Sequence, residues 1–218
     1  MFNKLLIYGK RDRTLETALT TIFVLIASLI FLYYSNIIFV TPDLNSLVTS
    51  SYFSEEVLAI FRSICALLSI FTLSWVALDP KGSPDYPLYY VEKKNRKRDS
   101  SGITRLAAFT MWHFGLFGIT FIILATISWI NLSGNEVPKW MLISGPILFA
   151  STYSCAILVS SIVTYFIIDD QVSRGNDIDH LFYWYEIVMH NFNVIILGIA
   201  LLINNIDIDW KYFVFPII

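Results

Sequence analysis

Five long apolar runs, separated by short charged segments, constrain this chain more than any other feature. Each is long enough to cross a hydrocarbon layer of about 30 Å as a helix rising about 1.5 Å per residue. Backbone groups inside lipid must be satisfied within the chain, and the two-residue alternation typical of membrane barrels is absent, so these runs are predicted to be helices. The predicted spans are residues 18–40, 57–78, 106–130, 140–168 and 181–203.

The composition agrees with this interpretation. Hydrophobic residues make up 56% of the 218 residues and charged residues only 15%, whereas soluble domains carry about 25% charge. The chain is therefore predicted to be all-α: a polytopic transmembrane helix bundle with at least five spans and a short apolar segment at 210–218. We expect residues 18–218 to form one transmembrane domain, preceded by an N-terminal segment at 1–17. No cofactor motif is present, and none is expected.

The distribution of lysine and arginine predicts the orientation. Basic residues precede the first run and crowd the loop at 79–105, whereas the loop at 41–56 has none. Because cytoplasmic loops of membrane proteins are enriched in these residues, the N-terminus is predicted to be cytoplasmic in an integral membrane protein. The basic clusters suit this topogenic role, so membrane lipids are expected partners and nucleic acid is not. The basic residues concerned are Lys4, Lys10, Arg11, Arg13, Lys81, Lys93, Lys94, Arg96, Lys97, Arg98 and Arg105.

Ionisable residues inside the predicted spans are the first candidates for function, because charge in a membrane is costly. Arg62 lies one to two turns from the outer end of its span, and we expect it to snorkel to the interface. His113 lies three residues after Thr110. Glu186 and His190 are four residues apart, so they share one helix face. A carboxylate at that spacing can hold a histidine ring in one orientation.

Depth brings these candidates together. Counted from the cytoplasmic boundary, Thr110 and His190 both lie roughly 8–14 Å into the membrane at 1.5 Å per residue. Thr110, His190 and Glu186 can therefore be assigned as nucleophile, base and orienting group. The plainer alternative is that they are hydrogen-bond partners between helices. A third is that His113, His190 and Glu186 bind a divalent metal, although no two histidines have ligand spacing and no metal site is predicted.

Short motifs in the same region resemble a known family. They are Phe-Arg at 61–62, Phe-Thr-Met-Trp at 109–112, His-Asn-Phe-Asn-Val-Ile-Ile at 190–196, Leu-Ile-Asn at 202–204 and Trp-Lys-Tyr-Phe at 210–213. Over about residues 57–218 the chain resembles the rolling-stone and androgen-induced-gene family of multi-pass membrane proteins.

The resemblance implies two different activities. The androgen-induced branch contains intramembrane threonine hydrolases of fatty acid esters, and its threonine and histidine fall on Thr110 and His190. The rolling-stone branch has the same positions and is linked to cell fusion. Asn193 follows the rolling-stone form, and Ala200 stands where the hydrolases usually carry an acidic residue.

Two functions therefore remain open. In the first, the chain is a lipid-ester hydrolase in which Thr110 attacks the ester, His190 transfers the proton, Glu186 orients His190, and His113 or Asn193 steadies the oxyanion. In the second, it is a non-catalytic membrane scaffold, a fusion factor or a subunit that binds other membrane proteins.

Overall fold

The computed structural model describes residues 14–80, 88–89, 95–96, 102–173, 175 and 177–217. Five helices in this part of the chain are long and apolar enough to cross a membrane, which confirms the predicted all-α bundle and fits a multi-pass membrane protein. Residues 1–13, with the four N-terminal basic residues, and most of the basic loop at 81–101 lie outside the described residues. The five spans are Leu15–Ser35, Glu55–Leu78, Phe109–Leu132, Lys139–Ser173 and Trp184–Ile203.

The first span stands apart from the other four. Its helix, Thr14–Ser35, ends where Asn36 adopts a left-handed backbone with φ of 53°, a common way to terminate a helix. The helix thus stops five residues before the predicted Val40. Most of its side chains are exposed outside the bundle, as expected of a helix that faces lipid. Near its end, Phe31 packs against Trp210 with ring centroids 5.6 Å apart.

The second and third spans form the centre of the bundle. The helix Glu55–Leu78 begins at Ser54, whose hydroxyl accepts the Val57 N–H, a typical N-cap. The helix Phe109–Leu132 follows a 3-10 turn at Gly102–Ala107. Where the two helices meet, the Ser69 hydroxyl donates to the Phe114 carbonyl over 2.8 Å. A column of buried aromatic rings runs through this core, formed by Phe114, Phe117 and Phe121.

The fourth and fifth spans each contain a π-helical turn. The fourth runs as an α-helix over Lys139–Ser161, a π-helix over Ile162–Ile167 and an α-helix over Ile168–Ser173. The fifth follows a 3-10 turn at Asp179–Phe182. It is composed of Trp184–Ile187, a π-helix at Val188–Phe192, and Asn193–Ile203. Such π-turns are rare and are frequently found at functional sites.

The connecting segments close one end of the bundle. A short helix, Leu44–Val48, buries Leu47 and Val48 against the core. The apolar segment predicted at 210–218 is a 3-10 helix, Trp210–Ile217, in which Tyr212 packs with Ile37 and Ala150. Elsewhere, the pair Leu88–Tyr89 lies antiparallel to Asn95–Arg96.

The two ends of the bundle are named after a residue found at each. The Arg105 end is the one at which the second span finishes and the third and fifth begin. The Asn204 end is the opposite one, where the fifth span finishes. Assigning the Arg105 end to the cytoplasm remains a prediction from the basic residues.

Candidate functional site

A buried carboxylate and a buried imidazole face each other in the fifth span. Oε2 of Glu186 lies 3.5 Å from Nδ1 of His190. His190 is only 6% exposed. Its Nδ1 is enclosed and has no aligned hydrogen bond, whereas Nε2 is not enclosed and has no partner among the described residues. One ring nitrogen thus faces a carboxylate and the other is free to accept a proton, as a general base requires.

The π-turn of the fifth span carries His190. A π-turn contains an extra residue, which changes the direction of its side chains and leaves carbonyl groups without their α-helical partners. The Asn193 amide donates to the Met189 carbonyl over 2.5 Å, and its oxygen accepts the Val194 N–H over 2.6 Å. Asn193 is fully buried. In this arrangement its amide supports the turn that positions His190.

A side-chain hydrogen bond joins the two π-turns. Asn191, next to His190, donates to the Thr164 hydroxyl over 3.2 Å. Thr164 belongs to the π-helix Ile162–Ile167 of the fourth span. The two irregular turns therefore lie side by side, and the fourth span provides an external support for the His190 segment.

His113 is held by the fourth span. Its Nε2 lies 3.2 Å from the Thr152 carbonyl oxygen, and a carbonyl can only accept, so Nε2 carries the proton. Its Nδ1 is enclosed without a partner. The ring is 3% exposed. In this tautomer His113 has no N–H left to donate to a substrate.

Thr110 occupies the first turn of the third span, Phe109–Leu132. Its side chain is partly exposed. No hydrogen bond of the described residues joins Thr110 to His190, although the third span packs against the π-turn that carries His190. The role of Thr110 as nucleophile therefore stays a prediction.

Arg105 connects the second and fifth spans at the Arg105 end of the bundle, a role that the sequence did not reveal. Its guanidinium donates to the Val76 carbonyl over 2.7 Å, lies 3.5 Å from the Asp79 carboxylate, and donates to the Tyr185 hydroxyl over 3.3 Å. Tyr185 adjoins Glu186 in the chain. One buried cation thus holds the second span against the start of the fifth, beside the Glu186–His190 pair.

Arg62 does not snorkel, so that expectation is wrong. It is 0% exposed and donates to the Ser128 hydroxyl over 2.7 Å, to the Leu124 carbonyl over 3.3 Å, and to the Asn204 side-chain oxygen. These acceptors lie in the third span and at the end of the fifth, and they take the place of water for its charge. Ser128 and Asn204 are polar residues at the same depth as Arg62, and they could have indicated that its side chain is buried.

No cluster of three or more histidine, cysteine, aspartate or glutamate residues that could hold a metal is present in the described part of the chain. Comparison with models of protein families, with curated proteins and with solved structures finds no match to the chain.

Proposed function

We propose that this multi-pass membrane protein hydrolyses lipid esters inside the membrane, with Thr110 as nucleophile, His190 as general base and Glu186 as the group that orients His190. One observation carries the proposal: Glu186 faces Nδ1 of His190 at 3.5 Å, while Nε2 has no partner among the described residues. A carboxylate beside one ring nitrogen can orient a histidine whose other nitrogen accepts a proton. The resemblance to the androgen-induced branch supports the choice of Thr110.

The reaction proceeds in two stages. As Thr110 Oγ1 forms a bond to the ester carbonyl carbon, its proton passes to Nε2 of His190 and the carbonyl electron pair moves to oxygen. When this pair returns, the bond to the alkoxy oxygen breaks and His190 protonates the leaving alcohol. A water molecule then attacks the acyl-threonine, giving one proton to His190. As the bond between the acyl group and Thr110 breaks, the fatty acid is released and the Thr110 oxygen takes that proton back from His190.

The position of the pair suits a lipid substrate. Glu186 and His190 lie within a helix that is apolar enough to cross a membrane, so an acyl chain can reach them from the bilayer. The π-turn, which sits in the middle of this site, sets the direction of the His190 ring. Membrane lipids supply the substrate, and the reaction needs no cofactor.

The experiment is ester hydrolysis by purified, detergent-solubilised protein with a panel of long-chain acyl esters. Wild type is compared with Thr110→Ala, Thr110→Ser, His190→Gln and Glu186→Gln, at matched thermal stability. We expect Thr110→Ala and His190→Gln to lose all measurable turnover, and Thr110→Ser to retain part of it. Glu186→Gln should lower kcat with little effect on KM.

Matched controls separate this result from general damage. His180→Gln changes a histidine in the 3-10 turn Asp179–Phe182 before the fifth span. Thr126→Val changes a threonine whose hydroxyl donates to the Ile122 carbonyl of its own helix. Both should keep wild-type rates. A folded wild type that hydrolyses no ester in the panel would refute the proposal, as would full activity in His190→Gln.

A second candidate is a non-catalytic scaffold, fusion factor or subunit that binds other membrane proteins. The observation that favours it is that other buried polar side chains join helices, as the Thr120 hydroxyl joins that of Thr152 over 2.7 Å. Such bonds are worth about 1 kcal/mol each in membranes. In this case the Thr110 and His190 variants would change stability or co-purifying membrane proteins, with no ester hydrolysis in any of them.

A further inference from the structure

Thr72, in the second span, has an unusual hydroxyl group. It is 0% exposed, and Oγ1 is the one fully enclosed hydroxyl oxygen without a hydrogen-bond partner in the described residues. Hydroxyls in helices normally donate to the carbonyl four residues earlier. Six others in these spans do so over 2.7–3.1 Å: Thr20, Ser63, Thr120, Thr126, Ser128 and Ser154.

An enclosed hydroxyl without a partner destabilises the fold, because it has given up its hydrogen bonds to water without replacing them. Buried groups of this kind are rare, and a catalytic role is one of the explanations for them. The Thr72 hydroxyl therefore points to a hydrogen bond that a ligand supplies.

The register of the helices places Thr72 at the level of the candidate site. Ser69 donates to the Phe114 carbonyl, and the second and third spans run in opposite directions. Thr72 is three residues further toward the Arg105 end, so it is level with the first turn of the third span, which contains Thr110.

The fifth span borders the same turn of the second span. Phe71 stacks on Trp184 with ring centroids 5.8 Å apart, and Trp75 packs on Trp184 at 5.6 Å. From Trp184 to His190 is six residues, or about 9 Å of helix. The turn that carries Thr72 thus packs against the spans that supply the predicted nucleophile and base.

The side chains expected to steady an oxyanion already donate to backbone carbonyls. The Asn193 amide donates to the Met189 carbonyl, and the only N–H of neutral His113 donates to the Thr152 carbonyl. Thr72 has a hydrogen to donate and no acceptor in the described part of the chain.

We propose that the Thr72 hydroxyl donates a hydrogen bond to the substrate carbonyl oxygen and stabilises the negative charge that develops there. This inference rests on the proposed hydrolase function and adds a catalytic residue to it. No bond to Thr72 forms or breaks in the reaction: its hydrogen bond strengthens as the carbonyl electron pair moves to oxygen. The loss of one such donor typically lowers kcat about 10²–10³-fold.

The test compares Thr72→Val and Thr72→Ser with wild type, using para-nitrophenyl palmitate. Valine has nearly the same shape without the hydroxyl, and serine retains it. We expect Thr72→Val to lower kcat about 10²–10³-fold with little change in KM, and Thr72→Ser to stay within about tenfold of wild type. Thr126→Val is the matched control and should keep the wild-type kcat.

Stability provides a second measurement. Because Thr72→Val removes an unsatisfied polar atom, its thermal stability should equal or exceed that of wild type, in contrast to a hydroxyl that holds helices together. A wild-type kcat in Thr72→Val overturns the inference, as does an effect confined to KM. Should wild type itself be inactive while folded, both proposals fall. If His190→Gln is inactive but Thr72→Val is not, only the Thr72 assignment falls.

Discussion

The guanidinium of Arg62 donates a hydrogen bond to the side-chain oxygen of Asn204, joining the second span to the end of the fifth. Asn204 is itself fixed, because its amide donates to the Ala200 carbonyl over 2.5 Å. Arg62 also donates to the Ser128 hydroxyl in the third span. A single buried cation therefore ties three helices together at the Asn204 end of the bundle.

Replacing Arg62 should destabilise the bundle. In Arg62→Leu the Asn204 oxygen and the Ser128 hydroxyl lose a charged donor in a site that water cannot reach. We expect the free energy of unfolding to fall by about 1–3 kcal/mol, measured by denaturant titration in mixed micelles. Lys139→Met removes an exposed cation at the start of the fourth span and should leave stability unchanged. Equal stability of Arg62→Leu and wild type would show that Arg62 does not hold the three helices together.

Gly118 permits the close approach of the second and third spans. A methyl group at this position would lie 2.5 Å from Oγ and 2.9 Å from Cβ of Ser69. Gly118→Ala should therefore force the helices apart, with a loss of about 1–3 kcal/mol in the free energy of unfolding. The same measurement on Gly118→Ala combined with Ser69→Gly should recover part of this loss, because the double variant removes the side chain that clashes.

Gly115 is the matched control for Gly118, one turn earlier on the same helix. A methyl group there would meet only Leu73 Cδ1, at 4.0 Å. Gly115→Ala should be neutral or more stable than wild type, since alanine favours a helix over glycine by about 1 kcal/mol. If Gly115→Ala and Gly118→Ala lost similar amounts of stability, the clash with Ser69 would not explain the loss in Gly118→Ala.

The spans could be predicted from the sequence because the cost of polar groups in lipid acts on whole runs of residues. The apolar run around Phe121 contains no proline or charged residue, so its approximate extent follows from hydropathy. The exact ends of the helices depend on local backbone conformation. The first helix, for example, ends at Ser35 because Asn36 adopts a left-handed backbone. The pairing of Glu186 with His190 also follows from local geometry, since residues four apart share a helix face.

Features that depend on neighbouring helices could not be predicted in this way. The π-turn at Val188–Phe192 has no sequence signal, because it differs from an α-helix by one residue that the surrounding structure must accommodate. The burial of Arg62 depends on acceptors 66 and 142 residues away in the chain. The free hydroxyl of Thr72 could be identified only by the absence of a bond in the folded bundle.

Tyr212 should make stability sensitive to alkaline pH. Burial, together with the negative charges of Asp209 and Asp207, raises the pKa of the Tyr212 hydroxyl above its usual value. The folded state therefore holds this proton at a pH where the unfolded chain loses it. The corresponding stability is fully present below the unfolded pKa and is lost as pH rises through the folded one. In thermal unfolding across this alkaline range, Tyr212→Phe should lose less stability than wild type. Identical pH profiles would contradict this account.

The bond between Asn191 and Thr164 should couple the fourth span to the geometry of His190. Asn191→Leu and Thr164→Val each remove the bond, so their effects should not add. A double-mutant cycle on unfolding should give a coupling of about 0.5–1.5 kcal/mol. Because Asn191 adjoins His190, the same cycle on ester hydrolysis should show a fall in kcat in both single variants and no further fall in the double variant. Thr126→Val, another threonine hydroxyl within a span, should leave kcat unchanged. Additive effects in both cycles would mean that the two π-turns are independent and that the fifth span alone orients His190.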